Sequence, residues 1–436
     1  MKNYQNRASK LNSRRRFVQA SSLIAATALF DDVSSLRAGE PSVAPSSRLT
    51  GAAATPSSRS RKFLTPAKDF TDVSRGNPKP FTLAGADAER ARLTPETWRL
   101  EIVADPFVEE PNIKLPASIE HPRTIAGGNA IDFAMLQELG KKHEVTFLKA
   151  MQCLNISTPL GQGLWTGVPL RDVLLHFCGK MTNARRIYYS GYHNNDPKQL
   201  FRSSLSYTQV METPPGELPA FIAYKLNGEP ISLLRGGPVR MIVPWAHGFK
   251  SIKWLQQISL TNDWRANDTY ANANNDPESF LKTAAYVDSG PEKIAAGESI
   301  ILTGQVIYGL SGLSRVEYCV RPVGEKPTPL ADDDPELLAA EWKPCVIDDQ
   351  PDWPTALPEG FSPKDILGFD KKTGTPLRWP LRYSMVGYSA TIRGLKVGRY
   401  EIRARAVDQN GFAQPEPRPA QKTGKNAIQM RRVEVV

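Results

Sequence analysis

The hydrophobic pattern changes period part-way along the chain, and that change constrains the fold more than any other feature. From Glu298 onward, short runs alternate with a period of two. They are Ser299 to Ile307, Val316 to Val320, and Gly398 to Asp408, in which Tyr400, Ile402, Ala404 and Ala406 alternate with Glu401, Arg403 and Arg405. Val433 and Val435 close the chain around Glu434. Period-2 runs punctuated by Gly and Pro predict an antiparallel β-sandwich over residues 286–436. Upstream, from Phe70 to about Trp264, the pattern is mixed. Trp98–Val103, Glu144–Leu148 and Val239–Val243 read as strands, whereas Asp132–Leu139 and Pro169–Phe177 read as helices, the second with Val173, Leu174 and Phe177 on one side. An Asn/Asp-rich stretch from about residue 265 to 290 joins the two regions. The fold class expected is therefore α+β over residues 69–285, followed by the sandwich. A chain of 436 residues, 40% hydrophobic, has material for two or three domains at roughly 150 residues each.

The N-terminus reads Ser13-Arg14-Arg15-Arg16-Phe17-Val18-Gln19 and continues into the apolar run Ala20 to Phe30. A basic region before a short apolar run describes a secretory signal, too short to be a spanning helix. Ser-Arg-Arg-x-Phe resembles the twin-arginine signal, a receptor-read address for proteins exported already folded, often around a cofactor. We expect a signal over residues 1–38, a flexible Ser/Pro/Ala/Arg-rich linker over 39–68, and a periplasmic location without stable membrane insertion. The formal charge of +10 is concentrated before residue 70, so the body is close to balanced and nucleic acid is not an expected partner. Four cysteines are too few for a disulfide-stapled miniprotein.

Five histidines, none paired at helical metal-ligand spacing, argue against an imidazole-built metal site. There is no Gly-x-Gly-x-x-Gly after a strand, no Walker-type loop and no Gly-x-Ser-x-Gly, which leaves nucleotide enzymes and serine hydrolases without support. Two regions remain. In the first, Gln152-Cys153-Leu154-Asn155 follows a strand-like run and precedes Leu164-Trp165-Thr166-Gly167-Val168-Pro169-Leu170. A cysteine there suits either a buried small hydrophobe or a ligand. The second runs from Gly236-Gly237-Pro238-Val239-Arg240 through His247-Gly248-Phe249-Lys250-Ser251-Ile252-Lys253-Trp254. A glycine turn, a strand and a loop with several cations suit an anionic ligand approached by backbone amides, or equally a hairpin with solvated cations.

In these blocks the sequence resembles the sulfite oxidase family of molybdopterin enzymes, and the likeness covers most of the chain. It implies a sulfite-oxidase-like catalytic domain, a trailing immunoglobulin-like domain that forms a homodimer, and a molybdenum–molybdopterin cofactor. By that resemblance Cys153 is the thiolate ligand of molybdenum, a soft donor suited to the metal. The cofactor's phosphate falls to Arg240 and Lys253, with Ser251 and Ile252 offering backbone groups and Arg235 and Lys250 nearby. Pro244-Trp245-x-x-Gly248-Phe249-Lys250 and Thr269-Tyr270-Ala271-Asn272 look more like the periplasmic methionine-sulfoxide reductase branch, which implies pterin contacts at Asn77 and at Ser190-Gly191. Sulfite oxidases follow the cysteine with an arginine-containing run where this chain has Leu154-Asn155-Ile156-Ser157-Thr158, and their active-site tyrosine aligns with Phe201. Arg202 and His247 are the candidates to stand in for the missing polar groups. The activity implied is oxygen-atom transfer on a small sulfur compound, sulfite or a relative. Reduction of S-oxides such as methionine sulfoxide, or a non-catalytic binding protein that keeps the fold, are the alternatives. No Cys-x-x-Cys-His haem motif occurs, so a separate electron carrier such as a c-type cytochrome is the expected partner. Cys319 and Cys345 are candidates for a bridge within the sandwich, and Cys178 for core packing.

Overall fold

A computed structural model describes residues 62–106, 114–154, 156–266, 268–269, 276–325, 327–328, 330–415 and 426–436. The twin-arginine-like leader, most of the linker, and Tyr270 to Asn272 lie outside the described residues. No helix among those described is long and apolar enough to cross a membrane.

The α+β part has two five-stranded sheets. In the first, Ile131–Asp132, Arg99–Ala104, Leu255–Thr261, Arg186–Gly191 and Arg202–Ser206 lie side by side in that order. Arg99–Ala104 and Leu255–Thr261 run parallel, and the other pairs are antiparallel. In the second, the order is Glu229–Pro230, Phe221–Leu226, Gly161–Pro169 and Val145–Met151, with Arg240–Ile242 also pairing Phe221–Leu226. Two helices share the main core with these sheets. Asp132 caps Phe133–His143 by accepting a hydrogen bond from Met135 N (2.8 Å). Leu136 and Leu139 face inward, and Lys141, Lys142 and His143 complement the dipole of the last turn. The second helix, Leu170–Cys178, buries Leu170, Val173, Leu174 and Phe177, a one-face i, i+3, i+4, i+7 stripe. Both helices start one residue later than the sequence pattern predicts, because Asp132 and Pro169 are their caps. Cys178 is wholly buried in the same core.

Residues 284–435 form two packed sheets. One is ordered Ala284–Val287, Ile300–Ile307, Met385–Ile392, Val346–Ile347; the other Lys293–Ile294, Gln429–Val435, Gly398–Val407, Arg315–Val323, Lys343–Pro344. Leu302, Tyr388, Ile402, Ala404 and Val433 meet between them. The charged set of Gly398–Val407 is not left in solvent. Glu401 and Arg403 are buried, and Arg403 Nε donates to Glu401 Oε1 (2.6 Å) beneath the Pro335–Leu338 helix and its flanks. Cys319 and Cys345 are free thiols, so the candidate bridge is not formed; burial pushes them to about 11 and about 12.

The sandwich is not separate from the α+β part. Leu281, Ala284, Tyr286, Ile307, Tyr383 and Met385 share one core with Phe147, Trp165, Phe221 and Ile242. Between two sandwich strands, residues 348–384 make an excursion that lays Trp353, Leu357, Ile366, Phe369 and Leu381 against Leu148 and Leu164. Its backbone also meets Val145–Met151, the outermost strand of its sheet: Leu367 N donates to Thr146 O (2.8 Å), and Ala150 N donates to Tyr383 O (2.7 Å). That edge is thereby covered. This strand leads directly to Cys153.

Candidate cofactor site

Cys153 lies two residues past the end of Val145–Met151, where the chain leaves the sheet. The loop it enters is tied at both ends. Leu160 N donates to Met151 O (2.8 Å), Gly248 N to Gln152 O (2.7 Å), and the Gln152 side-chain amide to the carbonyls of Cys153 (3.1 Å) and Ile156 (2.5 Å). The half-buried thiol is thus fixed on a rigid strand end. It opens onto a cavity of about 310 Å³ that is also lined by Gly191, Arg235, Arg240, Ser251, Ile252 and Lys253.

Glycines let the cationic wall form. Gly236 has φ +97°, and a Cβ there would lie 2.5 Å from Lys253 Cγ. A Cβ on Gly191 would come within 2.0 Å of Lys253 O, so only glycine lets the strand end at Gly191 press against this loop. Trp254 is held at φ 53°, an uncommon conformation for so large a residue, with its indole N–H donating to Leu233 O (2.8 Å). Arg240 donates from its two terminal nitrogens to Arg235 O (2.6 Å) and Ser251 O (2.7 Å), and its guanidinium lies 5.0 Å from the Trp165 ring centroid. Arg235 donates to Phe70 O (2.8 Å). The Nε atoms of both arginines are buried without a hydrogen-bond partner. Lys253 Nζ donates to Ser74 Oγ (2.6 Å), Leu234 O (2.9 Å) and Asp72 Oδ1 (3.1 Å). Behind this wall Lys149, fully buried, donates to Pro244 O (2.7 Å) and Ala246 O (3.1 Å).

Crowded, desolvated cations leave their mark. Burial, then the charge of Arg240, push Lys149 down to about 7. Burial and Arg240, opposed by Asp72, push Lys253 to about 7 as well. Burial and Arg235 lower Arg240, although a guanidinium keeps its proton. For Asp72, burial alone would raise the carboxyl, but hydrogen bonds from Ser74 and the charge of Lys253 hold it well below the usual carboxylate range. Among the described residues these cations have one carboxylate partner, Asp72. Excess buried positive charge with two unpartnered guanidine N–H groups is the donor set an anionic group requires. A phosphate at this wall and a metal at Cys153 therefore fit the residues present.

A pH effect follows. Between about 7 in the folded chain and about 10.4 in the unfolded chain, Lys149 is protonated mainly when unfolded, so stability rises with pH across that window, by up to about 1.4 kcal/mol per unit. Urea denaturation of cofactor-free protein from pH 7 to 10 is expected to show a steeper rise for wild type than for Lys149→Met. Parallel slopes would contradict it.

Four sequence-derived residues lie elsewhere. Lys250 points away from the cavity into a buried ion pair, donating to Ser204 O (2.6 Å) and lying 3.4 Å from Asp268 Oδ2. Arg202 lies over the Tyr188 ring (4.7 Å) and lines a separate recess of about 180 Å³. Its neighbour Phe201 lines the main cavity, as alternation along a strand dictates. His247 is buried behind the Cys153 loop, with Nδ1 3.4 Å from Gln152 O, while Gly248 and Phe249 reach the cavity wall. Asn77 does not line the cavity. Its N–H donates to Gln199 Oε1 (2.8 Å), and Arg75 and Gly76 beside it do line the wall. Asp72, Ser74, Arg75 and Lys149 are site residues that sequence reasoning missed.

Residues 126–269 match the model of the oxidoreductase molybdopterin binding domain. Cys153, Gly191 and the whole cationic wall except its Asp72–Ser74 partners fall inside that span. This region is similar to the molybdopterin-binding domains of the sulfite oxidase family. Its cofactor is molybdenum held by molybdopterin. The chain is 26% identical over 186 residues to mitochondrial sulfite oxidase from Drosophila melanogaster, covering 40% of this chain and 30% of that protein. It is 24% identical over 185 residues to the human enzyme, covering 42% and 32%. The chain thus spans about a third of the length of these sulfite oxidases. It is also 26% identical over 251 residues to the protein-methionine-sulfoxide reductase catalytic subunit of Xanthomonas campestris pv. campestris, covering 56% and 69%. The sulfane dehydrogenase SoxCD of Paracoccus pantotrophus shares the fold, with TM-score 0.52 and 15% identity over 91% of this chain and 93% of that one.

Proposed function

We propose that the protein is an exported molybdenum–molybdopterin oxidoreductase that transfers an oxygen atom to or from a small sulfur compound and exchanges electrons with a separate carrier of the c-type cytochrome kind. One observation carries this reading: the Cys153 thiol and the surplus of buried cations open onto a single cavity. In this reading Cys153 holds the metal. Arg235, Arg240, Lys253 and the Ser251–Ile252 backbone hold the pterin phosphate, and Gly191 allows the close approach of its strand. When bound, the cofactor supplies a two-electron centre able to give up or accept an oxygen atom. The chain itself fixes and shields that centre. Trp165, Met151, Ile156 and Leu160 line the cavity with apolar surface, which excludes water and strengthens each charge interaction inside. The trailing sandwich is read as the immunoglobulin-like dimerisation module, and the leader as a twin-arginine signal delivering the enzyme to the periplasm.

Metal analysis of protein from a molybdopterin-competent host is the test. About one molybdenum per chain, with turnover on sulfite, thiosulfate-type compounds or S-oxides, is the expected result. Absence of the metal would instead support a binding protein that has kept the fold.

A further inference from the structure

Oxygen-atom transfer moves protons as well as electrons, and among the described residues the cavity holds few groups able to exchange one. No carboxylate lines it, and Arg75, Arg235 and Arg240 carry guanidiniums, which keep their protons. Lys253 directs its N–H bonds at Ser74, Leu234 and Asp72. Cys153 is assigned to the metal, and Tyr192 packs into the cluster of Ala88, Leu93 and Trp254. His247 is buried behind the Cys153 loop and does not line the cavity. Among the described residues, His193 is the one imidazole that does.

His193 sits on the loop joining Arg186–Gly191 to Arg202–Ser206, neighbours in the first sheet. At the start of this loop Gly191 presses on Lys253 O, and Tyr192 N donates to Trp254 O (2.9 Å), which ties it to the cationic wall. At its end Phe201 packs against Phe249 and Leu154, the residue after Cys153. Between the two, the Asn194 side chain donates to Pro78 O (2.8 Å) and to Gln199 Oε1 (2.8 Å). The loop is thus held along its length, and the half-buried imidazole it carries stands between cavity and solvent. His193 Nδ1 lies 3.3 Å from Gly191 O. A carbonyl oxygen only accepts, so Nδ1 carries the hydrogen there and Nε2 is the nitrogen left to exchange a proton. The charged groups around the ring are Asp196 on the same loop, Arg75 on the N-terminal segment, and Arg235, Arg240 and Lys253 of the wall.

We propose that His193 is a catalytic residue of this cavity, passing protons through Nε2 between the water of the reaction and bulk solvent. This rests on the oxygen-transfer reading above and adds its proton route. With X the sulfur compound, the oxidising direction is X + H₂O → XO + 2H⁺ + 2e⁻. Both O–H bonds of the water break, a bond from its oxygen to X forms, and the electron pair of X passes to a one-electron carrier protein in two steps. Neutral His193 takes the two protons one after the other and releases each to solvent. In the reducing direction the same ring, as imidazolium, delivers them and the oxygen leaves as water.

The test uses holoenzyme of measured molybdenum content, assayed with sulfite or thiosulfate and ferricyanide, and with methionine sulfoxide and reduced benzyl viologen. On the substrate that wild type turns over, His193→Gln should lower kcat about 100-fold or more, the scale of general acid–base catalysis, with KM and molybdenum content little changed. Its kcat–pH profile should lose an ionisation limb that wild type shows, and the solvent deuterium isotope effect on kcat should rise. His193→Ala should be as slow, and imidazole added to the buffer should restore part of its rate. In cofactor-free protein, nitrogen-15 shifts of the neutral His193 ring should place the hydrogen on Nδ1. A glutamine variant with wild-type kcat and an unchanged pH profile, or an alanine variant that imidazole leaves as slow, would overturn the proposal. So would a ring hydrogen on Nε2, whatever the turnover. Protein without molybdenum, or loaded protein inert toward all three substrates, overturns the reading beneath it instead.

Discussion

Cys153→Ser folds and keeps its thermal midpoint but loses turnover. The side chain is half-buried, makes no structural hydrogen bond that a hydroxyl would lack, and changes little in volume, so stability should move by less than about 1 kcal/mol. The chemistry should move far more. Removing even an outer-shell partner of a metal ligand costs about 10- to 100-fold, so loss of the ligand proposed for the metal should exceed about 100-fold. The measurements are kcat, molybdenum content and the visible absorbance of a thiolate–metal bond, which should vanish together with activity. Unchanged turnover and an unchanged spectrum would remove Cys153 from the metal's coordination, and with it the proposed function.

Arg240→Leu has the second large effect, and it falls on both folding and cofactor retention. The guanidinium bridges the carbonyls of Arg235 and Ser251, joining the glycine turn to the cationic loop. Leucine would leave both acceptors buried and unpaired at about 1–3 kcal/mol each. Relief of desolvation and of the repulsion from Arg235 offsets part of that, so a net loss of about 2–3 kcal/mol is expected in cofactor-free protein by urea denaturation. The purified variant should also carry little molybdenum. Arg240→Lys separates the two consequences: it keeps the charge but cannot make both bonds, so it should retain more cofactor than the leucine variant while remaining less stable than wild type. A leucine variant as stable and as metal-loaded as wild type would place the phosphate elsewhere.

What could be read from the sequence follows from how local each signal is. The helix Phe133–His143 and the strand Gly398–Val407 were visible because their apolar residues repeat at the period of the element. Cys153, Arg240, Ser251 and Lys253 were visible because they sit in two continuous blocks. Lys250 and Arg202 sit in such blocks but do not line this cavity. Neighbouring residues on a loop or strand face opposite ways, and in each pair only one reaches the cavity: Ser251 rather than Lys250, and Phe201 rather than Arg202. Asp72, Ser74 and Arg75 carry no motif. They join the site through contacts far apart in sequence, 181 residues for Asp72 with Lys253 and 179 for Ser74 with Lys253, which only the folded chain reveals. Lys149 sits in a strand whose apolar neighbours hide it. A lysine there reads as solvent-facing until Pro244 and Ala246 are seen to cap it.

The excursion at residues 348–384 alters what the change of period near residue 290 means. It marks where one alternation gives way to another, yet the apolar interior runs across it unbroken, with Tyr383 and Met385 lodged among Phe147, Trp165 and Phe221. The strand that leads to Cys153 is therefore roofed by residues contributed from beyond the seam. The C-terminal part lines none of the cavity among the described residues; it braces the strand from which Cys153 emerges. Its amputation would strip the flank of that strand to water rather than release an intact enzyme.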